Sequence, residues 1–204
     1  MPHDVPGPSP TLLLASASPR RRTLLASLGL AVEVRAVDVD ERALPGEEAA
    51  ATALRLAHAK AVAARGAADG RPVLAADTIV AIDDALLGKP RDAGEAQAML
   101  RRLSGRWHEV LTGVALALPD GRVLEALART AVRFAVLDEE EITRYVSGSE
   151  PYDKAGGYAL QGTAAWFVEE VRGSVTNVVG LPLEEVRRLF RKAELPLPPL
   201  RETG

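Results

Sequence analysis

Apolar and polar positions fall into blocks along this chain, and their period changes from block to block. Residues 11–15, TLLLA, form a short apolar run that predicts a buried strand. SPRRRTLLASLG follows with the marks of a helix: Ser18 as N-cap, Pro19 at the first helical position, Gly29 as the stop. Residues 31–40, AVEVRAVDVD, alternate and predict a second strand. Residues 47–65 read as an alanine-rich helix closed by Gly66. Residues 72–83 are almost continuously apolar and β-branched, the pattern of a central strand. A short helix over 92–103 stops at Ser104-Gly105. Two long strand-like runs, 109–118 and 122–136, are joined by the hairpin signal Pro119-Asp120-Gly121. Helices are predicted again over 138–146 and 183–193, and the glycine-dense stretch 150–180 between them predicts loops and short strands. Isolated strands, helices and one hairpin together predict an α/β fold with a mixed sheet.

Composition narrows the class. The chain has 204 residues, enough for a substantial core in one or at most two domains. Its net charge of -3 argues against nucleic acid as a partner, which leaves a strongly basic footprint. Cysteine is absent, so disulfides, thiolate metal sites and cysteine nucleophiles are excluded. No apolar run approaches the roughly 18 residues of a membrane span. The opening MPHDVPGPSP lacks the order of a signal peptide and reads as a disordered lead-in over residues 1–10, with cytoplasmic localisation expected. Residues 194–204 read as a proline-rich tail. Only four of the 25 basic residues are lysines: Lys60, Lys89, Lys154 and Lys192. Glutamine occurs only at Gln97 and Gln161, and asparagine only at Asn177. In an arginine-biased chain, each retained lysine poses a question.

Several positions break local rules. Arg20, Arg21 and Arg22 occupy the first turn of a helix, where each cation opposes the dipole by about 0.3–1 kcal/mol when exposed. An anion bound there, with Ser16 and Ser18 as further donors, removes the conflict; three solvated arginines are the alternative. Asp77 interrupts the most apolar stretch, between strand-face neighbours Ala75 and Ile79. It is therefore either a functional carboxylate with a partner or a strand-end residue facing water. Lys60 lies on the apolar stripe of its helix, four residues from Leu56 and from Ala64, where snorkelling is the ordinary explanation. Lys89 is held in a tight Gly-Lys-Pro segment, whereas Lys154 follows Asp153 and reads as an ion pair or a solvated loop residue. Asp38, Asp40 and Glu41 form an acidic cluster of the kind that holds Mg²⁺ or Mn²⁺, although acidic loop ends are common. His58 and His108 have no ligand spacing and read as structural. Walker A, G-x-G-x-x-G and G-x-S-x-G patterns are absent. What is present is equipment for polyphosphate chemistry, in which positioning and charge neutralisation dominate.

Seven motifs occur in order: SASPRR at 16–21, RLAHAK at 55–60, AADTIV at 75–80, GKP at 88–90, LSGRWHEVLTGVAL at 103–116, EPYDKAGGYALQG at 150–162 and VVGLPL at 178–183. In these the chain resembles the Maf family, nucleoside triphosphate pyrophosphatases first associated with septum formation, over roughly residues 11–193. The resemblance implies a single Maf-like domain over that span. The implied architecture is an elongated mixed sheet flanked by helices, with two lobes around a cleft, similar to the inosine triphosphate pyrophosphatases. It implies hydrolysis of a nucleoside triphosphate to the monophosphate and pyrophosphate with a divalent metal. Asp77 takes the place of the catalytic aspartate and Glu41 that of its acidic partner, the two also serving as metal ligands. Lys60 and Lys89 match the family's lysines, and Ser16 and Arg21 its phosphate-binding serine and arginine. Arg20, Thr78 and Gln161 agree with the branch that acts on dTTP and UTP rather than the 7-methyl-GTP branch. A non-hydrolysing nucleotide-binding regulator of cell division is the alternative from another class. Relatives of this kind point to a homodimer.

Overall fold

The computed structural model describes residues 11–83 and 85–198. The expected lead-in, and residues 199–204 of the tail, lie outside the described residues. Among the described residues seven strands form one mixed sheet: β1 (Leu12–Leu14), β2 (Val32–Val34), β3 (Val73–Ile82), β4 (Ala85–Leu87), β5 (Trp107–Ala117), β6 (Val123–Phe134) and β7 (Val168–Arg172). The main order is β2-β1-β3-β5-β6-β7, with β1 parallel to both β2 and β3 and the later pairs antiparallel. The described residues also form α-helices that accompany the sheet: α1 (Pro19–Ser27), α2 (Ala49–Ala63), α3 (Ala93–Leu103), α4 (Glu139–Val146), α5 (Val175–Val179) and α6 (Leu183–Lys192). Short 3₁₀ turns fill much of the glycine-dense stretch between α4 and β7.

The expected α/β class and mixed sheet are therefore present, and most boundaries follow from local chemistry. Asp92 caps α3 by accepting the Glu95 N–H, and Asp138 with Glu141 forms a reciprocal capping box at the start of α4. The β5–β6 hairpin closes through Gly121, at φ +96°, as the sequence anticipates. Three expectations are corrected. The strand expected over 31–40 lasts only from Val32 to Val34, because its partner β1 ends at Leu14 and offers one last acceptor, to Arg35. The run expected to 83 stops at Ile82, where Asp83 adopts φ +52° and the chain folds back as β4. Within 150–180 a short helix, α5, forms in addition to the expected loops and strand.

Strand β3 organises the molecule. One edge is paired with β5 from Val73 to Ala81. The other edge is shared: β1 pairs with Val73 and Leu74, β4 with Val80 to Ile82. Between those partners the edge carries no strand, and a cleft of about 760 Å³ opens there. Three apolar clusters surround it. Ala57, Ala61 and Ala64 of α2 pack on Val73, Ala75, Ala115 and Ala117. On the opposite face, Leu25 of α1 and Leu189 and Phe190 of α6 cover Leu74, Ala76 and Leu116. Farther along that face, Leu100, Leu103, Ile142 and Phe134 enclose Val80 and Ile82. These last two clusters are the two lobes, and Thr78 lies on the strand between them.

Candidate active site

Alternation along β3 sends Asp77 toward α2, on the side of Ala75 and Ile79. Its register partner on β5 is Gly113, and α2 presses directly on that glycine. A Cβ at Gly113 would stand 2.3 Å from the carbonyl oxygen of Ala53, so only glycine permits the helix this close. The close approach brings Lys60, about one turn farther along α2 than the buried Leu56, over the buried carboxylate. The Lys60 ammonium donates to Asp77 Oδ1 at 2.6 Å and to Glu41 Oε1 at 2.5 Å. The side chain is 10% exposed, so the snorkelling reading of Lys60 is overturned. Burial of an ammonium this deep is tolerable only with such paired partners, and losing one costs about 3–5 kcal/mol.

Glu41 closes the group from the irregular segment after β2. Its second oxygen, Oε2, lies 3.6 Å from the Lys89 ammonium. Partial burial pushes the Glu41 pKa up, but Lys60 and Lys89 outweigh it and hold the carboxyl below its usual range. The acidic cluster does not survive as a unit. Asp40 turns away onto Arg42, at 2.7 Å, and neither Asp38 nor Asp40 lines the cleft. Among the described residues no group of three or more His, Asp or Glu side chains converges as a metal cage.

The arginine-rich helix start divides three ways. Arg21 turns inward and is buried: Nε donates to the Gly180 carbonyl at 2.7 Å, Nη1 to Ser16 Oγ at 3.1 Å and Nη2 to Thr78 Oγ1 at 3.1 Å. Burial pulls its pKa down, opposed by the nearby charges of Asp77 and Glu41. Arg20 reaches across the cleft mouth to Asp153 Oδ2 at 3.2 Å, and Arg22 points to solvent. Ser18 holds the N-cap position without a side-chain capping bond; its own N–H donates to Ser16 Oγ instead. Thr78 also contacts Thr112 Oγ1 at 2.9 Å, and Thr112 donates to the Asn177 carbonyl at 3.3 Å. A directional chain thus runs from Arg21 through two hydroxyls to α5.

Ser16, Arg20, Arg21, Glu41, Lys60, Asp77, Thr78, Lys89 and Gln161 all line the one cleft, and Lys154 and Tyr158 join them. Lys154 keeps the ion pair read from its sequence: it donates to Asp153 and to the Glu150 carbonyl. His58 and His108 lie outside the cleft lining: His58 pairs with Glu125 on the surface, and His108 bonds Tyr158 Oη at 2.7 Å. Gly113, Thr112 and Gly180 are not singled out in the sequence, and Asp153 is read there only as the neighbour of Lys154. A glycine and a threonine inside a long apolar strand were the available signal for the first two; nothing local distinguishes the others.

The geometry suits a polyanion: two carboxylates bridged by an ammonium face guanidinium and hydroxyl donors across one opening. Among the described residues no helix is long and apolar enough to cross a membrane. The fold is similar to that of a HAM1 protein from Coxiella burnetii, with a TM-score of 0.51 at 19% identity over 89% of this chain and 98% of that one. The sequence is 55% identical to a dTTP/UTP pyrophosphatase of Anaeromyxobacter dehalogenans, covering 93% of this chain and 97% of that protein. It is also 55% identical to the dTTP/UTP pyrophosphatase of Myxococcus xanthus (92% and 94% covered) and 48% identical to that of Burkholderia pseudomallei (96% and 99%). The model of the Maf-like proteins matches residues 11–193, which takes in every element from β1 to α6 and every residue of the cleft. The protein belongs to the Maf family.

Proposed function

We propose that this protein hydrolyses dTTP and UTP to the nucleoside monophosphate and pyrophosphate. The observation that carries the reading is the Lys60 ammonium locked between Asp77 and Glu41 on the floor of a cleft that Arg21, Ser16 and Lys89 also line. Relatives 48–55% identical bear the name dTTP/UTP pyrophosphatase. A water attacks the α-phosphorus: its oxygen forms the new P–O bond, the bridging P–O bond to the β-phosphate breaks, and pyrophosphate leaves. Asp77 orients that water and accepts its proton; among the described residues only Lys60 hydrogen-bonds the carboxylate, which leaves Oδ2 for the water. Arg21 and Ser16 bind one phosphate, while Lys60 and Lys89 offset negative charge that develops toward the leaving group.

The two carboxylates also fit a divalent cation. Mg²⁺ and Mn²⁺ take oxygen ligands, and one or two carboxylates completed by substrate phosphates is how Mg²⁺ is commonly held, so the absence of a third acidic ligand is no obstacle. Glu41 and Asp77 are the residues to hold it, and it would supply charge neutralisation on the phosphate oxygens. Gln161, with an amide that donates and accepts at once, faces the N3–H and O4 edge of thymine or uracil. Arg20 and Thr78 complete the selection. Pyrophosphate release from dTTP, UTP, CTP and 7-methyl-GTP with Mn²⁺ tests the reading. Release from dTTP and UTP is expected. No release from any nucleotide leaves a binding regulator in its place, and preference for 7-methyl-GTP moves the protein to the other branch.

A further inference from the structure

The loop over residues 150–162 forms one wall of the cleft, yet it contains only short 3₁₀ turns and cannot hold its shape by helix or sheet bonds. Its ends are instead tied by one side chain outside the cleft. Glu150 Oε2 accepts the Thr163 N–H at 2.8 Å, and Oε1 accepts the Ala164 N–H at 3.3 Å and the Tyr145 hydroxyl at 3.1 Å. Tyr145 is buried against the aromatic cluster of α4 and its neighbours, stacking edge-on to Phe167 with ring centres 5.2 Å apart. The carboxylate thus fastens both ends of the loop to a packed element. Burial pushes the Glu150 pKa up, but the three donors overcome this and keep it below the usual carboxylate range.

The clamp closes against the residue beside Gln161. A Cβ at Gly162 would fall 2.2 Å from Glu150 Oε1, so the carboxylate occupies the space that any other side chain would fill. Two further ties fix the middle of the loop. Lys154 donates to the Glu150 carbonyl at 2.6 Å and pairs with Asp153, which Arg20 reaches from α1. The Gly156 N–H donates to the Gly88 carbonyl at 3.0 Å, joining the loop to the Lys89 turn. Such a frame has a chemical purpose. A glutamine amide matches the uracil edge in one orientation and the cytosine edge after a half-turn of its own terminal torsion, so selectivity depends on the loop holding Gln161 where one orientation is favoured.

We infer that Glu150 is a positioning residue for base selection: its carboxylate clamps the 150–162 loop and thereby sets Gln161 against the substrate base. The inference rests on the proposed pyrimidine nucleotide hydrolysis and deepens it. It is tested by kcat/KM for UTP and CTP in wild type, Glu150→Gln, Gln161→Ala and the double variant. Glu150→Gln is expected to lower the UTP:CTP ratio about tenfold, the order of one lost charged hydrogen bond. Gln161→Ala should lower it as well, and the double variant no further. The ratio is independent of the folded fraction, so a merely structural role lowers both substrates alike and leaves it unchanged. An unchanged ratio in Glu150→Gln, or a further fall in the double variant, overturns the inference. Should Glu150→Gln not fold, Tyr145→Phe removes one donor from the same carboxylate: a fall in the ratio of about twofold or more supports the clamp, and a constant ratio overturns it. Wild-type protein that hydrolyses UTP and CTP alike removes the base-reading role of Gln161 and this inference together but leaves hydrolysis intact; failure to hydrolyse either refutes the proposed function itself.

Discussion

The two walls of the cleft are built on opposite principles. The floor, where Lys60 meets Asp77, is a helix pressed on a sheet, with Gly113 admitting the Ala53 carbonyl. The far wall, residues 150–162, has no regular frame and is held by polar ties from Glu150, Lys154 and Asp153. Charge chemistry on the first wall tolerates little displacement, because a buried ammonium and its carboxylates must stay matched. The base selection proposed for the second needs only a loop fixed well enough to present one edge. A buried side-chain hydrogen bond joins the loop to β5: His108 bonds Tyr158.

The largest expected effect is on the floor. Asp77→Asn keeps the shape of the side chain but cannot accept the water's proton, and turnover should fall about 10²–10⁴-fold with folding retained. Pyrophosphate release at near wild-type rate would remove Asp77 from its role. Gly113→Ala should cost about 3 kcal/mol in chemical denaturation, since the new methyl meets helix backbone rather than a movable side chain. A cost below about 1 kcal/mol would mean that α2 can ride away from β5.

The joint between the walls carries a pH signature. Burial pushes the His108 pKa down to about 4, from an unfolded value near 6.5. The unfolded chain therefore binds the proton first. The stability contributed by neutral His108 is complete above about pH 6.5 and falls progressively as pH drops toward 4, by at most about 3 kcal/mol. Denaturation curves across that window should flatten in His108→Phe; an equal slope in both proteins would show that other groups set it.

Smaller effects separate the walls more finely. Lys89→Arg should reduce turnover about tenfold, because a planar guanidinium does not replace a compact ammonium beside Glu41, while Lys192→Arg on α6 changes nothing. Equal effects would return the lysine pattern to coincidence. Gly162→Ala, unlike Gly113→Ala, meets only the movable end of Glu150. It should cost about 1–3 kcal/mol in stability, from the hydrogen bonds of the displaced carboxylate, and shift the UTP:CTP ratio. A large stability loss without a change in that ratio would make the loop structural rather than selective.

Most of the frame was legible in the sequence. Asp92 and Asp138 announced their helices, Pro119-Asp120-Gly121 its hairpin, and the apolar run around Asp77 its central strand. Those features are local: a cap or a turn is decided by a few neighbouring residues and a strand by its own alternation. The strand expected over 31–40 failed because its length depends on where β1 ends, and the short α5 was hidden among glycines.

By itself, the sequence determined the order of the elements, the type of chemistry its side chains can perform, and the family to which its motifs belong. Only the tertiary structure decided which charges meet. Lys60 on an apolar stripe reads as a snorkelling lysine until Gly113, 53 residues away in the chain, lets α2 settle over Asp77. Asp40 reads as a metal ligand until the chain turns it onto Arg42, and Glu150 is an ordinary acid until Gly162 returns to it. The Lys60 and Glu150 outcomes depend on distances between segments apart in sequence, set by how closely backbones pack, and no local pattern encodes those distances.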